Sequence, residues 1–97
     1  MPAVTMFSVV EVGHGDDERF IQFYKEVRDF LSKQPGFIMN QLFRSGAQTA
    51  ARRFMVVGKW ESTEAMASAT TSEEWKKLMS GRQMTLSPTP FEEVIVD

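Results

Sequence analysis

The chain has 97 residues, 42% of them hydrophobic and 25% charged, which is the composition of one globular domain. It contains no cysteine, which excludes disulfides, cysteine-zinc sites, iron–sulfur clusters and thiol nucleophiles. The formal net charge of −2 gives no basic footprint for nucleic acid, and no apolar run approaches the roughly 20 residues of a membrane span. We therefore predict a single cytoplasmic domain over residues 1–97 that binds neither nucleic acid nor membrane.

The first half of the chain has the pattern of a strand, a helix and a second strand. Val4 to Val12 is rich in β-branched and apolar residues, as strands are. Asp16 suits the N-cap of a helix. Six apolar or aromatic residues then recur at spacings of three and four, which predicts one buried helical stripe: Phe20, Phe23, Tyr24, Val27, Phe30 and Leu31. Pro35-Gly36 ends the connection, and Phe37 to Arg44 has the composition of a strand.

The next elements are a hairpin and a short helix. Ser45 to Thr49 is polar and contains Gly46, which favours a hairpin loop. Arg53 to Trp60 is apolar enough for a third strand. Ser62 can cap a helix that runs through Ala69.

The last elements complete the fold prediction. Thr71 and Glu74 have the spacing of a capping box, which predicts a second helical segment. Phe91 to Val96 has the pattern of a final strand. The order β-α-β-β-α-β, with the second helix broken in two, predicts an α+β fold of the ferredoxin-like type with an antiparallel sheet.

Both faces of the predicted strands carry apolar residues. Met6, Val10 and Val12 alternate with Phe7 and Val9 in the first strand. The other two show the same: Phe37, Met39 and Phe43 oppose Ile38 and Leu42, while Phe54, Val56 and Trp60 oppose Met55 and Val57. The helices can cover one face only, and an exposed apolar face is rare in monomers. We therefore predict a homodimer formed through the sheet face.

Three segments resemble the antibiotic biosynthesis monooxygenase domains of the dimeric α/β-barrel superfamily. They are Pro35-Gly36-Phe37, the run Gly58-Lys59-Trp60-Glu61-Ser62-Thr63-Glu64-Ala65, and Thr71-Ser72-Glu73-Glu74-Trp75. The resemblance spans Phe7 to Val96. It implies a dimeric α/β barrel and a pocket between sheet and helices that would take a small apolar or aromatic ligand.

Few side chains could carry chemistry in such a pocket. His14, the only histidine, could be a general base at the pocket mouth, and it could equally be a solvated loop residue. Tyr24 and Trp60 are the other catalytic candidates, because each joins a large apolar body to one polar group that can orient a substrate. Both could instead be core residues, Tyr24 in the helical stripe and Trp60 at the end of the third strand. A single histidine and no carboxylate cluster predict no metal site.

The candidate substrate-binding residues are mostly bulky. They are Phe20, Phe23, Asn40, Trp75 and Met79. Each aromatic among them could equally fill a solid core, and the amide of Asn40 could bind a ligand or face solvent. No phosphate-binding glycine loop or dinucleotide fingerprint is present, so we expect no bound cofactor.

Two functions of different kinds follow. The resemblance implies a cofactor-independent monooxygenase whose phenol- or quinol-like substrate reduces oxygen once it is deprotonated. The alternative is a dimeric scaffold that binds a small ligand without catalysis. Haem degradation, known among relatives of this fold, is disfavoured because the positions of its asparagine, tryptophan and histidine hold Val9, Ala69 and Met79 in an approximate alignment.

Overall fold

The elements follow one another in the predicted order, with the second helix in two pieces. The computed structural model describes residues 3–12, 15–45, 52–80, 89–91, 93–94 and 96. The elements in these ranges are β1 (Val4–Val12), α1 (Asp17–Ser32), β2 (Phe37–Arg44), β3 (Arg52–Trp60), α2 (Thr63–Thr70), α3 (Glu73–Met79) and β4 (Thr89–Phe91). None of the helices in these ranges has the length and apolar character needed to cross a membrane.

The four strands form one sheet in the order β2-β3-β1-β4, and every neighbouring pair is antiparallel. The longest ladder joins β1 to β3, from Val4 opposite Trp60 to Val12 opposite Arg52. This is the ferredoxin-like arrangement, so the predicted α+β fold class is confirmed.

Serine side chains begin both short helices. Ser62 Oγ accepts the backbone N–H of the residue three positions later, at 3.1 Å, as predicted. The cap of α3 is Ser72, whose Oγ accepts from the Trp75 N–H at 3.2 Å. The predicted capping role of Thr71 is wrong because Thr71 still belongs to the end of α2, where its N–H and its hydroxyl both donate to the Ala67 carbonyl.

The helices lie on one face of the sheet and bury its alternate residues. The residues of β1 and β3 on this face are Val4, Met6, Ser8, Val10, Val12, Phe54, Val56, Gly58 and Trp60. The opposite face, which we call the open face, carries side chains that are partly or largely exposed: Phe7, Val9, Met39, Phe43, Met55, Val57 and Phe91. Both faces are therefore apolar, as the sequence predicts, but the helices cover only one.

A β-bulge at the start of β2 changes the predicted side of one residue. Phe37 is opposite Trp60, yet Met39 is opposite Lys59, so Ile38 is an extra residue in β2. The Phe37 ring meets the buried Trp60 ring edge to face, with centroids 5.6 Å apart. Grouping Phe37 with Met39 and Phe43 was wrong because strict alternation ignores the extra residue.

The last strand is earlier and shorter than the predicted Phe91 to Val96. In the antiparallel ladder Phe91 is opposite Thr5, and β1 begins only one residue before that, at Val4. The partner strand therefore ends almost where β4 ends. Val94 and Val96 lie outside the strand and are largely exposed. The predicted hairpin residues from Gly46 to Thr49 lie outside the described residues.

Candidate functional site

A tyrosine and an asparagine form a buried polar pair between α1 and β2. Tyr24 lies in the inward stripe of α1, and Asn40 lies on the covered face of β2 with only 3% of its surface exposed. The Tyr24 hydroxyl donates to Asn40 Oδ1 at 2.6 Å. The structure thus brings together two of the predicted site residues, one on each side of the layer between helix and sheet.

Two buried nitrogen donors, one in this pair and one on β3, have no acceptor within the part of the chain that the structure describes. They are Asn40 Nδ2 and Trp60 Nε1. Most buried polar groups in proteins are hydrogen-bonded, and an unmet donor costs about 1–3 kcal/mol. An acceptor such as an oxygen atom would satisfy each of these donors.

Gly58 lies between these two residues. Asn40 is directly opposite Gly58 in the β2–β3 ladder, and Trp60 is two residues further along β3 on the same covered face. A Cβ atom placed on Gly58 would lie 3.0 Å from Asn40 Nδ2. The amide therefore packs closely over the glycine backbone, in the position that a side chain would need. The sequence analysis missed this residue, although a glycine inside a strand often marks a close approach.

The electrostatics of Tyr24 suit a hydrogen-bond donor. Burial raises the pKa of its phenol above the ordinary value of 10.0, and the positive charge of Arg28 opposes the rise. At neutral pH the hydroxyl therefore stays protonated and donates a hydrogen bond to Asn40 Oδ1. This commits the carbonyl end of the amide and leaves Nδ2 to face the space beside Gly58. In this geometry the Tyr24 hydroxyl is a hydrogen-bond donor that fixes the orientation of the amide.

The aromatic candidates are distributed over the same buried layer. Phe20, one turn before Tyr24 on α1, packs on Phe54 with ring centroids 4.7 Å apart, and Phe23 is 6.3 Å from Phe20 by the same measure. Trp75 packs on Phe30 of α1 at 6.2 Å. Met79 is partly buried against this core. These contacts fill the interior around the polar pair.

The described residues do not supply a buried base. The polar residues buried among them, apart from the tyrosine and the tryptophans, are Ser8 and Asn40. They also hold no group of three histidine, cysteine, aspartate or glutamate side chains that could bind a metal ion. His14, the predicted base, lies outside the described residues.

Two surface clefts are lined by described residues. One, of about 400 Å³, lies on the outer side of α1 between Lys25, Arg28, Asp29 and Ser32. The other, of about 530 Å³, lies on the open face and is lined by Val9, Phe43, Arg44, Ser45, Arg53, Phe54 and Met55. Neither includes Trp60, so the predicted cavity beside Trp60 stays a prediction.

The positions compared with haem-degrading relatives do not converge. Val9 points to the open face and is 60% exposed, whereas Ala69 is buried in the core on the other side of the sheet.

Solved structures share this fold. SnoaB, a cofactor-independent oxygenase from Streptomyces nogalater, superposes with a TM-score of 0.83 at 18% identity, over 99% of this chain and 97% of its own. A provisionally assigned monooxygenase from Shewanella loihica PV-4 gives 0.82 at 23% identity, over 98% and 97%. A heme-degrading protein from Mycobacterium tuberculosis gives 0.67 at 24% identity, over 98% and 96%.

The sequence comparisons define the family. No curated protein matches the chain. The family model described as antibiotic biosynthesis monooxygenase matches residues 3–80, a range that contains α1, the first three strands and the two short helices. The chain belongs to the antibiotic biosynthesis monooxygenase family.

Proposed function

We propose that the chain is a cofactor-independent monooxygenase for a small phenol- or quinol-like aromatic substrate, which binds beside Asn40 and Trp60. The observation that carries the proposal is the pair of buried donors that find no acceptor among the described residues, Asn40 Nδ2 and Trp60 Nε1. A phenolate oxygen is an acceptor that such donors would bind strongly, because hydrogen bonds to a charged partner are the stronger ones.

The chemistry needs no electron source beyond the substrate. Loss of a proton gives a phenolate, which can transfer one electron to O₂. The resulting radicals combine through a ring carbon to form a C–O bond, and the O–O bond of this peroxide then breaks. One oxygen atom stays on the ring carbon as a carbonyl, and the other leaves as water with the hydrogen of that carbon and the proton that the phenol first released. The protein contributes orientation and donors directed at the developing charge.

Each predicted site residue has a place in this proposal. Asn40 and Trp60 hold the substrate oxygen, and Tyr24 fixes the asparagine amide through the 2.6 Å hydrogen bond. His14 is the proposed proton acceptor. The apolar walls come from Phe20, Phe23, Trp75 and Met79, three of which are buried and one partly buried.

Oxygen consumption with 1-naphthol tests the proposal. This substrate and O₂ would give 1,4-naphthoquinone and water, so labelled O₂ should place one labelled atom in the product. Trp60→Phe keeps an aromatic ring but removes the N–H, and we expect it to lower the rate at least tenfold. Leu31→Ala is the matched control, because Leu31 is buried in the same core but lies outside the proposed site.

The outcomes separate the two functions that the sequence leaves open. No rate above the uncatalysed reaction, with 1-naphthol or a panel of quinols, would refute the monooxygenase. Saturable binding of these compounds without turnover would instead support the ligand-binding scaffold. An equal loss of rate in Trp60→Phe and Leu31→Ala would show that the tryptophan N–H has no specific role.

We also propose that this single domain forms a homodimer through the open face. The support is the exposure of large apolar side chains there, among them Val9, Phe43 and Phe91. Stable dimers commonly cover such surfaces, and a two-fold interface uses the same patch on both copies. The cleft of about 530 Å³ between Val9, Phe43 and Met55 is a concave region of this face into which a partner's side chains can pack.

Light scattering at micromolar concentration should give twice the chain mass. Val9→Arg places a charge in the centre of the open face and should shift the mass toward one chain. Lys25→Glu, on the exposed side of α1, is a charge-changing control that should leave the mass unchanged. A folded monomer for the unmodified chain would refute the dimer.

A further inference from the structure

Met6 occupies the space that Gly58 leaves empty. The two residues are directly opposite each other in the β1–β3 ladder, and Met6 is buried on the covered face. A Cβ atom on Gly58 would lie 2.9 Å from Met6 Cε and 3.3 Å from Met6 Cγ. The end of the methionine side chain therefore folds over the glycine, and a Cβ atom at this position would require the methyl group to shift.

The same space borders the unpartnered amide. The Cβ position of Gly58 is also 3.0 Å from Asn40 Nδ2, so the methionine methyl and this nitrogen are no more than about 6 Å apart. A methyl group accepts no hydrogen bond, and a thioether sulfur accepts only weakly. The buried donor thus has an apolar, flexible neighbour where an acceptor atom would satisfy it.

Methionine is suited to leave such a position. Its side chain is unbranched with three rotatable bonds, so it adapts to changes in the surrounding space. Gly58 presents no side chain that would hold it in one rotamer. A larger or branched residue at either position would fill the same space more rigidly.

We propose that Met6 is a movable plug: it fills the ligand position above Gly58 in the free protein and turns aside when an aromatic ligand places an oxygen atom against Asn40 Nδ2. Its size then limits how large a ring the site admits, which makes Met6 a specificity-determining residue. The inference rests on the proposed binding site at Asn40 and Trp60, but not on turnover.

Binding of phenol and toluene to variants of the full chain tests the plug. The two probes have nearly the same shape, but only phenol offers an oxygen. Met6→Ala should bind phenol at least tenfold more tightly than the unmodified protein, because no side chain must be displaced. Met6→Leu restores the bulk and should return the affinity to the unmodified value or below.

Leu31→Ala is the matched cavity control, since it removes a side chain of similar size from the same core. The ratio of phenol to toluene affinity should be at least ten times higher in Met6→Ala than in Leu31→Ala, because only the first cavity borders an unmet donor. The side-chain amide signal of Asn40 in a ¹H–¹⁵N spectrum should shift with phenol in Met6→Ala. Because the different solubilities of the two probes affect both variants equally, they cancel when the two ratios are compared.

The outcomes are decisive without an activity measurement. Equal ratios in the two variants, or an unmoved Asn40 signal, would overturn the plug. Tighter phenol binding without oxygen consumption would support the role proposed for Met6 and refute the monooxygenase activity. Turnover of 1-naphthol by the unmodified protein, with no gain of phenol affinity in Met6→Ala, would support the monooxygenase activity and refute the role proposed for Met6.

Discussion

The two faces of the sheet are made by neighbouring residues of the same strands, yet they differ in solvent exposure. Val56 has no exposed surface, whereas Met55, the residue before it, is 38% exposed. Both faces are apolar, so hydrophobicity alone does not separate them. What separates them is the three helices, which cover one face and leave the other as a large apolar surface.

Polar groups are also placed differently on the two faces. The charges of the open face lie toward the two ends of its strands, where Glu11 and Arg53 are opposite each other and form an exposed ion pair of 3.2 Å, and Lys59 is exposed at the other end of β3. The covered face has Asn40 in its interior, held by Tyr24, and the Nδ2 group of this amide has no acceptor among the described residues. Charges that remain in solvent cost little, whereas a buried unmet donor is costly and has a reason to persist if a ligand uses it. The two proposals therefore concern different faces, with ligand binding on the covered face and association on the open one.

The largest expected difference between the faces concerns their aromatic residues. Trp60→Ala should lower the free energy of unfolding by about 3–5 kcal/mol, because it empties a fully buried position. Phe43→Ala on the open face should cost less than about 0.5 kcal/mol in the monomer. Urea unfolding measures both.

Protein concentration sharpens this comparison. At concentrations where the proposed dimer forms, the cost of Phe43→Ala should grow, while that of Trp60→Ala should change little. Similar costs for the two variants at every concentration would contradict the division between a core face and an association face.

A smaller effect is expected from Tyr24→Phe, which removes one hydroxyl from the covered face. It leaves Asn40 Oδ1 without its donor, so we expect a loss of about 1–3 kcal/mol in the free energy of unfolding. In an Asn40→Leu background the same change should be close to neutral, because the acceptor is already gone. A full loss in both backgrounds would show that the two side chains are not coupled.

The pH dependence of this pair has a definite sign. Burial raises the pKa of Tyr24 in the folded protein, so above pH 10.0 the unfolded chain releases this proton first. The stabilisation is therefore complete below that pH and is lost as the pH rises through the folded-state pKa. The stability difference between the unmodified protein and Tyr24→Phe should shrink from about pH 10 upward.

The smallest effect is expected at the end of the open face. Glu11→Gln removes the exposed ion pair with Arg53 and should change the free energy of unfolding by less than about 0.5 kcal/mol. Added salt should reduce even this difference. A loss as large as that of Tyr24→Phe would show that this exposed ion pair contributes more to the free energy of unfolding than its exposure implies.

Local patterns were sufficient for most of the fold. The bounds of β1 and β2 coincide with the segments of β-branched and apolar residues, and the inward stripe of α1 contains Phe20, Phe23 and Tyr24 as spaced in the sequence. These features depend on periodicity within one element, which a single sequence displays directly.

The differences arise where distant segments decide. Thr71 and Ser72 are both good cap residues, and the choice depends on where α2 ends. The end of β4 depends on where its partner β1 begins.

The candidate site depends on distant segments even more. Asn40, Gly58 and Met6 come from three strands, and only their register brings them together. Asn40 is a candidate from the sequence because an amide among apolar residues needs a partner. The identity of that partner, Tyr24, depends on how α1 packs on β2, which the sequence pattern does not contain.

The bulge at Ile38 has a consequence for how insertions and deletions can accumulate in this chain. Because side chains alternate with a period of two, losing one residue within a strand turns every following side chain to the other face. Ile38 is already the extra residue between the Phe37 and Met39 pairings, so its deletion would convert the bulge into a regular ladder and keep Asn40 opposite Gly58. A deletion at Gln41 would instead turn the rest of the strand over, carrying Leu42 to the open face and Phe43 into the core. Length variation among relatives should therefore be tolerated at the second position of this strand and selected against a few residues later.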